Sequence, residues 1–156
     1  MIGRLLWILA ALSVIAAGVT GWLWWDSTHD SRADLAAERD SVLATGERQV
    51  ADLNTVDYRN LDAVFTRWQA AATGPLLERL VRNRETDRQS ALTAKTVATA
   101  RVVTAAVTAI DGSTANVIAA VEISVEGAAK KVSRLDVDLV KGDQGWQVSA
   151  LEVVGT

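Results

Sequence analysis

Residues 116–126 read NVIAAVEISVE, and this run decides the fold. Val117, Ala119, Val121, Ile123 and Val125 alternate with Asn116, Glu122, Ser124 and Glu126. A period of two marks a strand with one face buried and one wet, because successive side chains point to opposite sides. Gly127 ends it. Downstream, Leu135, Val137 and Leu139 alternate with Arg134, Asp136 and Asp138, and the turn Gly142 to Gly145 leads to Trp146 and Val148. Leu151 and Val153 then fall on the opposite parity, which predicts a bulge near Ala150. Upstream, Val97, Arg101, Val102, Val103 and Val107 belong to a β-branched run that reaches Ile110 and closes at Asp111-Gly112. Four consecutive strands joined by short turns predict an antiparallel sheet.

Ahead of the strands the period becomes helical. Asn60 is placed to cap a helix in which Leu61, Val64, Phe65, Trp68 and Ala72 share a face. Gly74 supplies its stop, and Pro75 opens the next helix at its first position. There Leu76, Leu77, Leu80 and Val81 make the buried side. Arg79, Arg82, Arg84 and Arg88, interleaved with Glu78, Glu85 and Asp87, make a solvated one. Further back, Ser31 and Asp34 form a capping-box pattern, and Leu35, Val42, Gly46, Val50 and Leu53 make a narrow stripe on a stalk helix within 26–54. Helices first and strands last give an α+β class: an N-terminal transmembrane helix, a helical stalk, then a domain at 55–156 with a four-stranded antiparallel sheet packed on helices.

The transmembrane reading rests on residues 5–25, LLWILAALSVIAAGVTGWLWW, which carry no charge. At ~1.5 Å per residue the run spans ~30 Å, the thickness of a bilayer's hydrocarbon core. Arg4, in the short tail 1–4, and Trp22, Trp24 and Trp25 are the expected interfacial anchors. A cleavable signal peptide ending near Ala16-Ala17-Gly18 is the competing reading, and the apolar run continuing to Trp25 argues against it. Arg4 and the acidic far flank favour a single pass through the plasma membrane, N-terminus cytoplasmic and C-terminal domain outside. Ser13, Ala17 and Gly21 recur every fourth residue, a small-residue stripe suited to contact with another membrane helix.

Composition narrows the chemistry. Among 156 residues, 49% are hydrophobic and 22% charged, and the net charge is −3. With no basic run, nucleic acid is not an expected partner. There is no cysteine, and His29 is the only histidine, so thiol catalysis, histidine triads and multi-histidine metal sites have nothing to be built from. No phosphate loop, dinucleotide fingerprint or nucleophile elbow is present. Asp136 with Asp138, and Glu122 with Glu126, lie on polar strand faces and read as solvated decoration. Asp57 beside Tyr58, the only tyrosine, reads as a turn residue next to a core anchor. Phe65, Trp68 and Trp146 are further core anchors. An isomerase-like pocket using Asp57 or Asp62 with Tyr58 is the enzymatic alternative. The expectation is no enzyme, cofactor or metal.

Several segments carry a resemblance. Asn-Thr-Val-Asp-Tyr-Arg-Asn-Leu-Asp (54–62) and Ala-Thr-Gly-Pro-Leu (72–76), with Ala-Ala-Val-Thr (105–108), Asp-Gly (111–112), Ala-Asn-Val (115–117) and Gly-Trp-Gln-Val-Ser (145–149), follow a single N-terminal span and a helical stalk. In this order the chain resembles the Mce-associated membrane proteins of actinobacteria. Members often carry an aromatic where this chain has Leu80. The resemblance implies a cone-shaped α+β roll, similar to nuclear transport factor 2 and to periplasmic subunits of type IV secretion. It also implies an accessory role that binds and stabilises an Mce lipid importer, with other transporter subunits and the membrane as partners. It supplies no catalytic residues. A lipid-binding carrier is the alternative: the Val and Ala of the inner strand faces leave room for a lipid unless Phe65 and Trp68 fill it.

Overall fold

The structure, a computed structural model, describes residues 33–155. The membrane span, the stripe of Ser13, Ala17 and Gly21, and the anchors Arg4, Trp22, Trp24 and Trp25 lie outside the described residues. Among the described residues no helix is long and apolar enough to cross a membrane. Among the described residues, those from Arg39 onward make one compact unit, and residues 33–38 fall outside it. The first helix, α1, covers residues 33–53. After it come β1 (Val56–Asp57), a 3-10 turn (Tyr58–Asn60), α2 (Leu61–Ala71) and α3 (Gly74–Ala94). Four long strands close the chain: β2 (Val97–Asp111), β3 (Thr114–Val125), β4 (Lys131–Gly142) and β5 (Gly145–Val153).

The sheet is an antiparallel meander in the order β1-β2-β3-β4-β5, so it has five strands where four are expected. The extra one pairs Val56 with Ala98 and Asp57 with Val97. Two residues are too few to show a period, which hides such a strand from any pattern. The β5 bulge falls where parity predicts it: Asp138 faces Ala150 while Leu139 faces Val148, leaving Ser149 extra. That one residue returns Leu151 to the side of Val148, against the core. The β2 strand is interrupted twice more, at Val103 and Thr108.

One face of the sheet is buried. Ala115, Val117, Ala119 and Val121 of β3 join Leu135, Val137 and Leu139 of β4, Val148 of β5 and Ala100 and Val107 of β2. The cover of this face comes from α1 rather than α2. The α2 residues Leu61, Val64 and Phe65 are buried, yet they stand outside the cluster on the sheet. The cover comes from α1, through Val42 and Val50, both fully buried, with Leu76 and Trp146. Gly46 explains how α1 comes so near. A β-carbon there would lie 3.6 Å from Val117 Cγ2 and 3.8 Å from Leu139 Cδ2, so helix backbone rests almost directly on the sheet. The compact unit takes in α1 from Arg39 onward.

Several apolar positions miss their expected burial, Val125 and Val153 at strand ends among them. Leu35 is exposed, and Val81 is 55% exposed. Val81 stands about 100° around α3 from Leu80, and only Leu76, Leu77 and Leu80 reach the core. The end of α1 is closed by side chains. Asn54 Nδ2 donates to the Val50 carbonyl and Thr55 Oγ1 to that of Ala51, while Trp68 Nε1 donates to the carbonyls of Asp52 and Thr55. These bonds satisfy carbonyls that a helix end otherwise leaves without partners.

Candidate functional site: the charged rim beside Tyr58

Where β1 leaves the sheet, the backbone at Asp57 is extended and its carboxylate turns back on the following residues. Asp57 Oδ1 accepts from the Arg59 backbone N–H at 3.0 Å and from Arg59 Nε at 2.9 Å. The backbone bond first, and then the guanidinium, hold the Asp57 carboxyl below its usual range. Arg59 also lies 5.7 Å over the Tyr58 ring and reaches Glu126 at 4.0 Å. Tyr58 itself is half-buried at the margin of the domain, not within the core as expected of an anchor, because it opens a turn with no buried residue.

One turn on, Asp62 in the first turn of α2 binds two arginines of α3. Arg88 Nη1 donates to Asp62 Oδ1 at 2.9 Å, and Arg84 Nη2 stands 3.5 Å from the same atom. The Arg88 hydrogen bond is the main cause that lowers the Asp62 pKa, followed by the Arg88 charge. Arg84 also stacks 5.3 Å over Phe65. These two arginines, expected on a plain solvated face, instead tie α3 to α2. Both carboxylates are held ionised and occupied by guanidinium groups, which suits them to fix charge rather than to donate a proton.

The remaining singled-out residues fall elsewhere. Phe65 is buried and meets the half-buried Trp68 edge-on, with centroids 5.6 Å apart and planes at 84°. Trp146 is buried at the other end of the sheet, its carbonyl accepting from Gln49 Nε2 at 2.6 Å. Asn116 Nδ2 bridges Asp136 and Asp138. Glu122 binds Lys130 at 3.1 Å, and Lys130 is the first cause of its lowered pKa. Among the described residues no acidic or histidine cluster is arranged to hold a metal. An open hollow of about 300 Å³ lies between the β2–β3 turn and β4, lined by Asp111, Asn116, Asp138, Leu139 and Ser149 among others. A smaller one, about 130 Å³, separates the start of α3 from Ser149 to Glu152.

Sequence reasoning missed the bonds that seat α1. Arg39 Nη2 donates to the Val107 carbonyl, Gln49 to Trp146, and Thr55 Oγ1 accepts from the Ala100 N–H. A glycine inside an amphipathic stripe, Gly46, was the available signal of close approach.

Similarity to known proteins lies in the fold. No protein-family model and no curated sequence matches the chain. Solved structures do. The periplasmic domain of DotI superposes with a TM-score of 0.61 at 12% identity, covering 75% of this chain and 95% of that one. An IcmL-like type IV secretion system protein from Legionella pneumophila gives 0.59 at 12%, covering 74% and 91%. CagV, a VirB8 homolog of type IV secretion from Helicobacter pylori, gives 0.57 at 9%, covering 75% and 98%. The α+β domain thus has the nuclear transport factor 2-like fold of these domains, with helices packed on a five-stranded antiparallel sheet.

Proposed function

We propose that this chain is a non-enzymatic accessory subunit of an Mce-type lipid import complex in the cell envelope. Residues 5–25 anchor it in the plasma membrane, and its α+β domain stands outside the cytoplasm. The seating of α1 carries this reading. Gly46, Val42 and Val50 occupy the sheet face that a carrier or pocket enzyme of this fold would need for a ligand. Two further observations support it: Asp57 and Asp62 are engaged by arginines, and similar folds occur in a periplasmic domain and in secretion-system proteins. The Mce assignment itself rests on the segments 54–62 and 72–76. Partners are other transporter subunits, reached through the span and the domain surface.

Lipid uptake measured beside protein abundance tests the non-enzymatic part. Asp57→Asn and Tyr58→Phe should leave uptake intact wherever the protein accumulates. A folded, assembled Tyr58→Phe variant without uptake would instead make the rim a catalytic pocket.

A further inference from the structure

The strand β2 is 15 residues long, and β1 pairs with only its first two, Val97 and Ala98. Past them, two described side chains bond to its outer edge: Thr55 Oγ1 takes the Ala100 N–H, and Arg39 donates to the Val107 carbonyl. Those bonds fix which residues aim their backbone outward. They are the ones whose side chains enter the core, namely Ala100, Val102, Ala105, Val107 and Ile110, with the bulges at Val103 and Thr108 resetting the parity. Among the described residues, the Arg39 bond to Val107 is the one bond made to the outward N–H and C=O groups from Arg101 to Asp111. Between Arg101 and Asp111 at its ends, the solvent-facing side chains are neutral (Val103, Thr104, Ala106, Thr108, Ala109), without the lysine or proline that blunts edges.

We propose that this edge pairs with the same edge of a second copy of the chain, antiparallel and centred on Ala106, making one continuous ten-stranded sheet. The stretch is complementary to itself in that register and through both bulges. Val102 meets Ile110 of the second copy and Ala105 meets Val107, each pair core-facing and outward in backbone, so each exchanges hydrogen bonds. Thr104 meets Thr108 on the solvent face. At the two ends Arg101 stands opposite Asp111, opposite charges in directly facing positions. A two-fold axis perpendicular to the sheet keeps the faces matched, as an isologous interface requires. The Val107 carbonyl has two lone pairs, so the Arg39 bond leaves one for the partner.

The chain lacks cysteine, so one introduced thiol reports on the register. Ala106→Cys places two thiols face to face on the axis, with Cα atoms ~4.5 Å apart, within reach of a disulfide. Thr104→Cys separates its two copies by about four residues along the strand, ~13 Å, beyond reach. Mild oxidation of the full-length protein in detergent micelles should cross-link Ala106→Cys and leave Thr104→Cys and the β4 control Val132→Cys monomeric. A monomeric Ala106→Cys, or equal cross-linking of all three, overturns the proposal. Mass measurement of the uncross-linked chain is the second reading. Arg101→Glu should weaken the dimer about tenfold, and adding Asp111→Arg should restore it. A dimer indifferent to both changes contradicts the register.

Discussion

Gly46→Ala should stabilise the protein, and the structure gives the size of the effect. Glycine inside a helix is worse than alanine by about 0.5–1 kcal/mol, through backbone entropy. The new methyl would meet Val117 Cγ2 at 3.6 Å and the two Leu139 δ-carbons at 3.8 and 3.9 Å, ordinary contact distances that need no movement. Burying it against them adds some of the ~0.8 kcal/mol that a fully buried carbon contributes. The net expectation is a gain of about 1 kcal/mol, or about 4 °C in Tm for a unit of this size. Gly46→Leu pushes a branched side chain through the same contacts and should cost about 1–3 kcal/mol by overpacking. Thermal and urea unfolding of the full-length chain in micelles, followed by circular dichroism, reads both. Loss of stability with alanine would mean that α1 stands closer to the sheet than these distances. A harmless Gly46→Leu would mean that α1 does not lie on the sheet at all.

Other expectations concern the ends of α1, the acidic range and the membrane segment. Trp68→Phe keeps the edge-on ring against Phe65 but loses the N–H to the carbonyls of Asp52 and Thr55, and should cost about 1–2 kcal/mol in the same melts. Trp68→Ala should cost about 3 kcal/mol, the low end for tryptophan because the side chain is half-buried. The carboxyls of Asp57, Asp62 and Glu122 are all lowered on folding, so the native state binds their protons more weakly than the unfolded chain does. Their contribution is complete above the unfolded values, about 4, and is lost as pH falls through the lowered ones; stability rising between pH 5 and pH 3 would contradict this. Ala17→Leu with Gly21→Leu should preserve membrane insertion and reduce co-purification of partners, since leucine suits lipid but blocks close helix approach. Unchanged co-purification would make that stripe ordinary lipid-facing surface.

The strands were the legible part of this sequence. Alternation through Val117, Val121, Leu135 and Leu139 reports a half-buried sheet directly, and even the Ser149 bulge shows as a slip in parity. Less legible was which helix covers the sheet. The apolar faces of α1 and α2 look alike in sequence, and the bulkier Phe65 and Trp68 favoured α2. Depth of approach decides instead: Gly46 lets α1 come against Val117 and Leu139, whereas Phe65 and Trp68 of α2 stand outside the cluster on the sheet. The rim was visible only in part. Asp57 and Asp62 stood out as acids, but their arginines come from different spacings: Arg59 is two residues from Asp57, and Arg84 and Arg88 are brought to Asp62 by the packing of α3 on α2. No periodicity encodes that second arrangement. The β1 strand and the Arg39 bond to Val107 depend likewise on tertiary placement.

Purification of the tagged full-length chain from membranes in mild detergent, with mass spectrometry of everything bound, tests the proposed role most directly. An accessory subunit should bring transporter subunits in a fixed ratio, and the chain stripped of them should carry no stoichiometric lipid. Recovery of the chain alone, bearing one lipid per copy, would contradict the account and make it a carrier.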